Sequence, residues 1–176
     1  LGRAVFSRES LQLARELGPG TFLLPGAMLP ERGPDGNTVV FVAPSGLVVV
    51  DTGRHPWHSD GILAFARARR APVAAIVTTH WHLDHSSGNG RVKAAHAKAQ
   101  VYTSSAVAAA LAPGGFLTRS LAAAQEAPAN PDMPAVRREE RDLFLATMAH
   151  AETLRPDVPV DRPGALSLAG RVLDVH

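Results

Sequence analysis

The stretch of sequence that decides the fold is residues 73–90, VAAIVTTHWHLDHSSGNG. Its apolar beginning predicts a buried β-strand, which runs directly into His80, His82, Asp84 and His85. Imidazole nitrogen and carboxylate oxygen are ligands that zinc and similar divalent ions prefer. Because side chains alternate along a strand, His80 and His82 can point to one side, while the following turn presents Asp84 and His85 to a second ion. Three histidines and an aspartate within six residues therefore predict a metal site.

Strand-like and helix-like patterns alternate on both sides of this stretch, which predicts an α/β fold. The predicted elements, in chain order, are a short helix within residues 1–20, a strand at 21–24, a hairpin of strands 38–43 and 47–50, a helix at 59–70 with Ser59 or Asp60 as its N-cap, the strand at 73–78, an Ala-rich helix to about residue 98, a strand at 101–103 and a helix ending near residue 111.

After residue 112 the alternation of strand-like and helix-like patterns gives way to helical patterns. Helical patterns at 116–127 and 136–153 surround a Pro-rich break, and a final hairpin is predicted at 165–175. We therefore expect three parts: residues 1–112 with the sheet, helices and metal motif, residues 113–160 as a helical insertion or lid, and residues 161–176 as the start of a second-half hairpin.

Length and composition exclude several classes of protein. The 176 residues are 45% hydrophobic and 19% charged, which fits one folded domain. With a net charge of +2 and no block of basic residues, nucleic acid is not an expected partner. No uninterrupted apolar run approaches the roughly 18 residues of a membrane helix, so we expect no membrane partner. The absence of cysteine excludes disulfides, Cys-liganded zinc, iron–sulfur clusters and thiol catalysis within these residues.

The stretch 73–90, with its His-x-His-x-Asp-His motif and Ser87-Gly88-Asn89, resembles the metallo-β-lactamase-fold hydrolases. The strand followed by Asp51-Thr52-Gly53 and a helix is similar to that family's first motif. The resemblance covers about residues 21–111 and, more loosely, the final hairpin. It implies an αββα sandwich, of which this chain would form the N-terminal half to two-thirds, with a helical insertion.

The resemblance also implies a role for each residue of the two motifs. His80 and His82 would bind one metal ion, and Asp84 and His85 a second. Asp84 would also be the catalytic residue that steers the nucleophilic water. Asp51 would stand behind the ligands and hold their loop by hydrogen bonds. Two zinc ions are the expected cofactors, with iron or manganese as alternatives.

The implied function is a metal-dependent hydrolase, in which a metal-bound hydroxide attacks the carbonyl of an ester, thioester, lactone or β-lactam. The substrate is expected to be a small molecule. Alternatives within the fold are a persulfide-dioxygenase-like enzyme with one iron and a phosphodiesterase or nuclease. An aspartic-protease-like dimer built on Asp51-Thr52-Gly53 leaves the histidines unexplained. A metal-binding half without activity of its own is a further alternative.

The family also places a histidine, a bridging aspartate and a last histidine after the helical insertion. His176 comes slightly early for the first of these, so we expect it to be a strand residue that precedes the ligand. We therefore expect a C-terminal portion beyond residue 176 to complete the site, in the same polypeptide or as a separate chain.

Several aromatic residues and histidines lie near the two motifs or in the insertion. Trp81 and Trp57 are candidates for an apolar wall of a substrate pocket, although simple packing explains them equally well. The large apolar residues of the insertion could cover an apolar substrate, but packing against one another in a helix core is the default expectation: Phe116, Leu117, Phe144 and Met148. His55 and His58, just after the Asp51 motif, could line the mouth of the pocket, but we expect them to be solvated loop residues. His96 and His150 are expected to be surface residues of helices.

Overall fold

The computed structural model describes residues 14–128 and 130–176. Within these ranges, seven strands form one mixed sheet in the order β1 to β7, and two more form a separate antiparallel hairpin. Strands β1 to β4 pair antiparallel, whereas β4 to β7 pair parallel. The strands are β1 (Arg15–Gly18), β2 (Thr21–Leu24), β3 (Thr38–Ala43), β4 (Gly46–Val50), β5 (Val73–Val77), β6 (Gln100–Thr103), β7 (Val158–Pro159), β8 (Gly164–Leu168) and β9 (Arg171–Val175).

The parallel part of the sheet is connected through helices, as parallel strand pairing requires. The helices of the described residues are α1 (Pro56–Arg69), α2 (Leu83–Ser86), α3 (Asn89–Ala95), α4 (Ala106–Leu111), α5 (Phe116–Glu126) and α6 (Ala135–Met148), followed by a 3₁₀ turn at Ala151–Leu154. The predicted α/β architecture is therefore confirmed.

The core is built on both faces of β4, whose valine-rich sequence has no polar face. Leu47 and Val49 pack in one cluster with Ile62 of α1. Val48 points to the opposite face and packs in another cluster with Leu168 of the β8–β9 hairpin. Helices and hairpin thus cover opposite faces of the sheet.

Several predicted elements differ from the structure: the helix predicted at 136–153 ends at Met148, and the one predicted to about residue 98 ends at Ala95. Two further differences have a local reason. Of the helix predicted within residues 1–20, residues 1–13 lie outside the described part, and Leu17 belongs to β1, because this segment pairs with β2 across a tight turn. Helix α1 begins at Pro56, before the predicted caps Ser59 and Asp60. Proline is favoured in the first helical turn because that position needs no N–H partner.

The segment Ala106–Glu126 is, among the described residues, long and apolar enough to cross a membrane by length and composition. The prediction of no membrane partner considered only uninterrupted apolar runs, and it stays a prediction. In the structure the segment is divided into α4 and α5. Leu111 and Leu117 from these two helices pack in a third cluster, together with Met148.

The hairpin's contribution to folding can be tested with two substitutions on it. Leu168 is 2% exposed beneath the sheet, whereas Val172 is 66% exposed. Leu168→Ala leaves a cavity and is expected to lower the free energy of unfolding by about 2–5 kcal/mol. Val172→Ala is expected to change it by less than about 0.5 kcal/mol. Urea denaturation measures both, and equal effects would contradict the packing of the hairpin on the sheet.

Candidate metal centre

The two predicted motifs meet because β4 and β5 are parallel neighbours, whose carboxyl ends lie at the same edge of the sheet. Val50 is paired with Val77, and the Asp51 N–H donates to the carbonyl of Val77 at 2.8 Å. The residues that follow each strand are therefore side by side. This edge is where ligands bind in open α/β sheets.

Three of the predicted ligands form a compact group of imidazole rings. The ring centroid of His80 lies 4.5 Å from that of His82 and 4.3 Å from that of His85. The fourth, Asp84, has its Oδ2 3.2 Å from Nε2 of His85. Asp84 and His85 lie on helix α2, a single turn that follows His82 directly.

The carboxylate of Asp51 connects the loop after β5 to helix α2. Its Oδ1 accepts from the Thr79 N–H at 2.8 Å, and its Oδ2 accepts from the Thr79 hydroxyl at 2.8 Å and from Nδ1 of His85 at 2.7 Å. Asp51 is buried and has a φ of 61°, a left-handed conformation that is uncommon outside glycine. The hydrogen bonds that orient the carboxylate thus accompany an unfavourable backbone conformation.

These hydrogen bonds determine which nitrogen of each ring carries the proton. A carboxylate only accepts, so His85 donates through Nδ1 and its Nε2 is left facing Asp84. The single Thr79 hydroxyl hydrogen goes to Asp51, so Nδ1 of His80, 3.0 Å away, must donate to that hydroxyl. In the neutral forms of His80 and His85, the lone pair is therefore on Nε2.

The main chains of the two loops approach closely, and glycine makes this approach feasible. Gly88 donates to the carbonyl of Gly53 at 3.1 Å, and a Cβ on Gly88 would lie 2.3 Å from the carbonyl oxygen of Thr52. On the other side, Gly36 donates to the carbonyl of Asp84 at 2.8 Å, and a Cβ there would lie 2.7 Å from His85. Larger side chains at either glycine would push the ligand loop out of place.

His58 is connected through Thr38 to the main chain of Asp51. The prediction that His58 is solvated was wrong, because the residue is buried. The Thr38 hydroxyl donates to the carbonyl of Asp51 at 3.0 Å, so His58 donates to that hydroxyl through Nε2 at 2.7 Å. Burial lowers the pKa of His58, which keeps the ring neutral.

A second polar cluster lies at the start of helix α1 around His55, which is 2% exposed. Nδ1 of His55 is 3.0 Å from Asp35, and Nε2 is 2.7 Å from Glu140 of helix α6. Trp57 stacks on the His55 ring at 4.0 Å and donates its indole N–H to Asp35 at 3.0 Å. The prediction that His55 is solvated was wrong because its partners are 20 and 85 residues away in sequence, beyond any local pattern.

Both ring nitrogens of His55 face carboxylates, which favours its protonated form. Although burial acts in the opposite direction, hydrogen bonds with Asp35 and Glu140 raise the pKa of His55. Burial likewise opposes the shifts of the two acids, but hydrogen bonds from His55 lower the pKa of Asp35 and of Glu140. This cluster fastens α6 to the start of α1.

A cavity of about 300 Å³ opens beside His82 and Asp84. Its apolar wall consists of Trp81, Leu117, Phe116 and Phe144. Of the two tryptophans predicted as pocket walls, Trp81 lines this cavity and Trp57 lies outside it, in the His55 cluster. Among the insertion residues expected to pack against one another, Met148 is buried, whereas Phe116 is 54% exposed.

The last three histidines lie on or near the surface of the described residues. His150 is exposed, and its Nδ1 is 3.5 Å from Glu152. His96 caps the end of helix α3 and is partly exposed. His176 follows strand β9 and is exposed, with Nε2 3.4 Å from Asp174.

The four motif residues have the chemistry that a divalent cation requires. No group of three His, Asp or Glu side chains in the described ranges has its donor atoms already converged on one point. The lone pair on His85 Nε2 nevertheless faces a carboxylate oxygen, and these two groups repel unless a proton or cation lies between them. Burial, together with the charges of His85 and His82, lowers the pKa of His80 and favours the neutral form that binds metal. His80, His82, Asp84 and His85 stay our predicted ligands.

Comparison with known proteins relates this chain to one superfamily by sequence and by fold. The family model described as "Metallo-beta-lactamase superfamily" matches residues 32–173. A linear primary-alkylsulfatase from Pseudomonas sp. (strain ATCC 19151) is 47% identical over 47 residues, which are 26% of this chain and 9% of that protein. A metallo-beta-lactamase from Pontibacter korlensis has a TM-score of 0.58 at 18% identity, over 93% of this chain and 59% of its own. One from Hirschia baltica has a TM-score of 0.45 at 21% identity, over 53% and 43%. The chain thus spans less than two-thirds of each relative.

The role of Asp51 can be tested through metal affinity. Asp51→Asn keeps the size of the side chain but replaces one accepting oxygen with a donor, so His85 and Thr79 lose an oriented partner. We expect zinc affinity to fall about 10–100-fold in competition with a chromophoric chelator. Asp60→Asn is the matched control, because Asp60 is exposed and pairs with Arg91 on the surface. Equal affinities for the two variants would contradict the role of Asp51.

The His55 cluster predicts a dependence of stability on pH. Because the pKa of His55 is raised above its ordinary 6.5, its contribution is fully present below that pH and is lost as pH rises through the raised value. The lowered pKa values of Asp35 and Glu140 contribute above their ordinary 3.8 and 4.5 and are lost as pH falls. Near pH 6, His55→Gln is therefore expected to reduce the free energy of unfolding of metal-free protein by about 3–5 kcal/mol.

The difference in free energy of unfolding between wild type and His55→Gln is expected to shrink as pH rises through the raised pKa of His55, because the wild-type ring loses its proton. Urea denaturation at several pH values measures it. A difference that stays constant with pH would show that His55 is not protonated in the fold.

Proposed function

Because the chain belongs to the metallo-beta-lactamase superfamily, we propose that it carries the principal metal-binding motif of a metal-dependent hydrolase. The observation that carries this proposal is the set of His80, His82, Asp84 and His85 at the end of β5, with two imidazoles oriented by Thr79 and Asp51. We assign His80 and His82 to one ion and Asp84 and His85 to a second. Zinc is the proposed metal, with iron or manganese as alternatives.

A divalent cation bound here would lower the pKa of a water molecule and polarise a substrate oxygen. The residues of this chain supply the orientation. Asp51 orients the ring of His85, and Thr79 orients the ring of His80. Asp84 lines the cavity, and we assign to its carboxylate a hydrogen bond that orients the attacking water.

The proposed substrates are small molecules with an ester, thioester, lactone or β-lactam carbonyl. Sulfate esters are a second candidate class, because the 47-residue match is to a protein named as a linear primary-alkylsulfatase. Hydrolysis of either class needs the same two elements, an activated water and a polarised oxygen.

We further propose that residues outside this chain complete the metal site. The chain covers 59% of the Pontibacter korlensis metallo-beta-lactamase that it resembles in fold, and no three donors converge within the described residues. The additional residues would come from the same polypeptide or from a separate chain.

The ligand assignment predicts loss of metal from two variants of the complete protein. His82→Ala and Asp84→Ala each remove a donor from one of the two proposed ions, so bound zinc, measured by mass spectrometry after dialysis, is expected to fall below the wild-type stoichiometry. His150→Ala is the matched control, since His150 is exposed and lies outside the motif. Wild-type metal content in both ligand variants would show that the assignment is wrong.

The same proteins test the reaction class. Metal-loaded wild type is expected to hydrolyse members of a panel of carboxylic and sulfate esters, and Asp84→Ala is expected to lower kcat/KM by about 100-fold or more. If the wild type hydrolyses no member of the panel, the hydrolase proposal fails.

A further inference from the structure

The cavity beside His82 and Asp84 has two chemically different ends. The end at α2 presents an imidazole and a carboxylate, whereas the far wall is made by side chains of helices α5 and α6 together with Trp81. The ring of Phe116 lies 5.1 Å from that of Trp81, so these two residues form a continuous aromatic surface. The cavity therefore offers a polar reaction end and an apolar binding end.

The side chain of Phe116 is more exposed to solvent than is favourable for a large apolar residue. It is 54% exposed, whereas its neighbour Leu117 is buried in the core cluster beneath. An exposed phenylalanine in a concave apolar wall forgoes burial that a bound apolar group would supply. Helix α5 thus uses Leu117 for folding and leaves Phe116 available to a ligand.

The charges around the cavity decide which way a substrate lies. Arg54 is the guanidinium that lines this cavity, and its Nε already donates to Glu140 at 3.0 Å. Glu140 is in turn bound by His55, so this charge is satisfied inside the cluster. A substrate carboxylate distant from the reacting bond therefore finds no unpaired cation on this wall, which disfavours substrates that carry one.

We propose that the wall formed by Trp81, Phe116 and Phe144 binds the unbranched hydrocarbon chain of an amphiphilic ester, whose ester group lies at His82 and Asp84. The proposal rests on the hydrolase function and names its substrate class: a long-chain carboxylic or sulfate ester. The volume of about 300 Å³ is at the small end of ligand cavities, which suits a narrow chain. Each methylene of the hydrocarbon chain that is buried against this wall is expected to raise the binding affinity of the ester about fourfold.

The test measures binding of ligands that the protein does not hydrolyse. Its result therefore does not depend on whether the proposed hydrolase activity exists. Linear alkyl sulfonates of four to eight carbons, kept below micellar concentrations, carry the same chain and a head group that is not hydrolysed. Calorimetry on the metal-loaded complete protein is expected to show affinity that rises about fourfold per methylene. Chain-length dependence without any esterase or sulfatase activity would support this site and overturn the proposed reaction.

Phe116→Ala is the decisive variant, because Phe116 is largely exposed and its removal leaves the core intact. The rise in affinity with chain length is expected to fall to less than about twofold per methylene in Phe116→Ala and in Phe144→Leu. Met28→Ala, at an exposed apolar residue that does not line the cavity, is the control and is expected to keep the wild-type slope. Affinity that is independent of chain length in the wild type, or an unchanged slope in Phe116→Ala, overturns the proposal.

Discussion

The carboxylate of Asp51 is the group on which the geometry of the candidate site depends. It accepts from a main-chain N–H, a hydroxyl and an imidazole N–H, all from residues that follow the neighbouring strand. Each bond is charge-assisted and partly buried, which makes it stronger than a bond between neutral groups at the surface. One side chain thereby sets the position of the loop after β5, the rotation of the Thr79 hydroxyl and the orientation of the His85 ring. The tautomer of His80 follows from the hydroxyl.

Parallel pairing of β4 with β5 makes this arrangement accessible. The paired strands end together, which places Asp51 within hydrogen-bond distance of residues 28 and 34 positions later. The two buried faces of β4 hold the strand in place, with helices packed on one face and the β8–β9 hairpin on the other. The precision of the site is thus a consequence of core packing, and the left-handed conformation of Asp51 is maintained by it.

The parts of the molecule that sequence could predict are those whose signals are local. The apolar runs of β3, β4 and β5 and the spacing of the motif histidines led to the α/β fold and to the family, which the family model confirms. The segment of β1 was predicted wrongly as helix because four residues of pairing with β2 override a weak helical pattern. Burial of His55 could not be predicted, because Glu140 reaches it from a helix 85 residues away. The exposure of Phe116 beside a buried Leu117 likewise depends on the position of α5 in the fold.

His55 and His85 show why a histidine paired with a buried aspartate does not by itself indicate a metal ligand. Each ring donates through Nδ1 to an aspartate, and each has a carboxylate at Nε2. Around His55, however, the carboxylates are already bound by N–H donors, among them those of Arg54 and Trp57, so the cluster is neutralised by protons and guanidinium groups. Around His85 the Asp51 carboxylate is likewise bound by N–H and O–H donors, but no guanidinium of the described residues pairs with Asp84, and the neighbouring ring is the imidazole of His80. The His55 cluster thus contains its own cationic groups, whereas the surroundings of His85 supply donor atoms for a cation. This difference distinguishes a structural cluster from a candidate metal site.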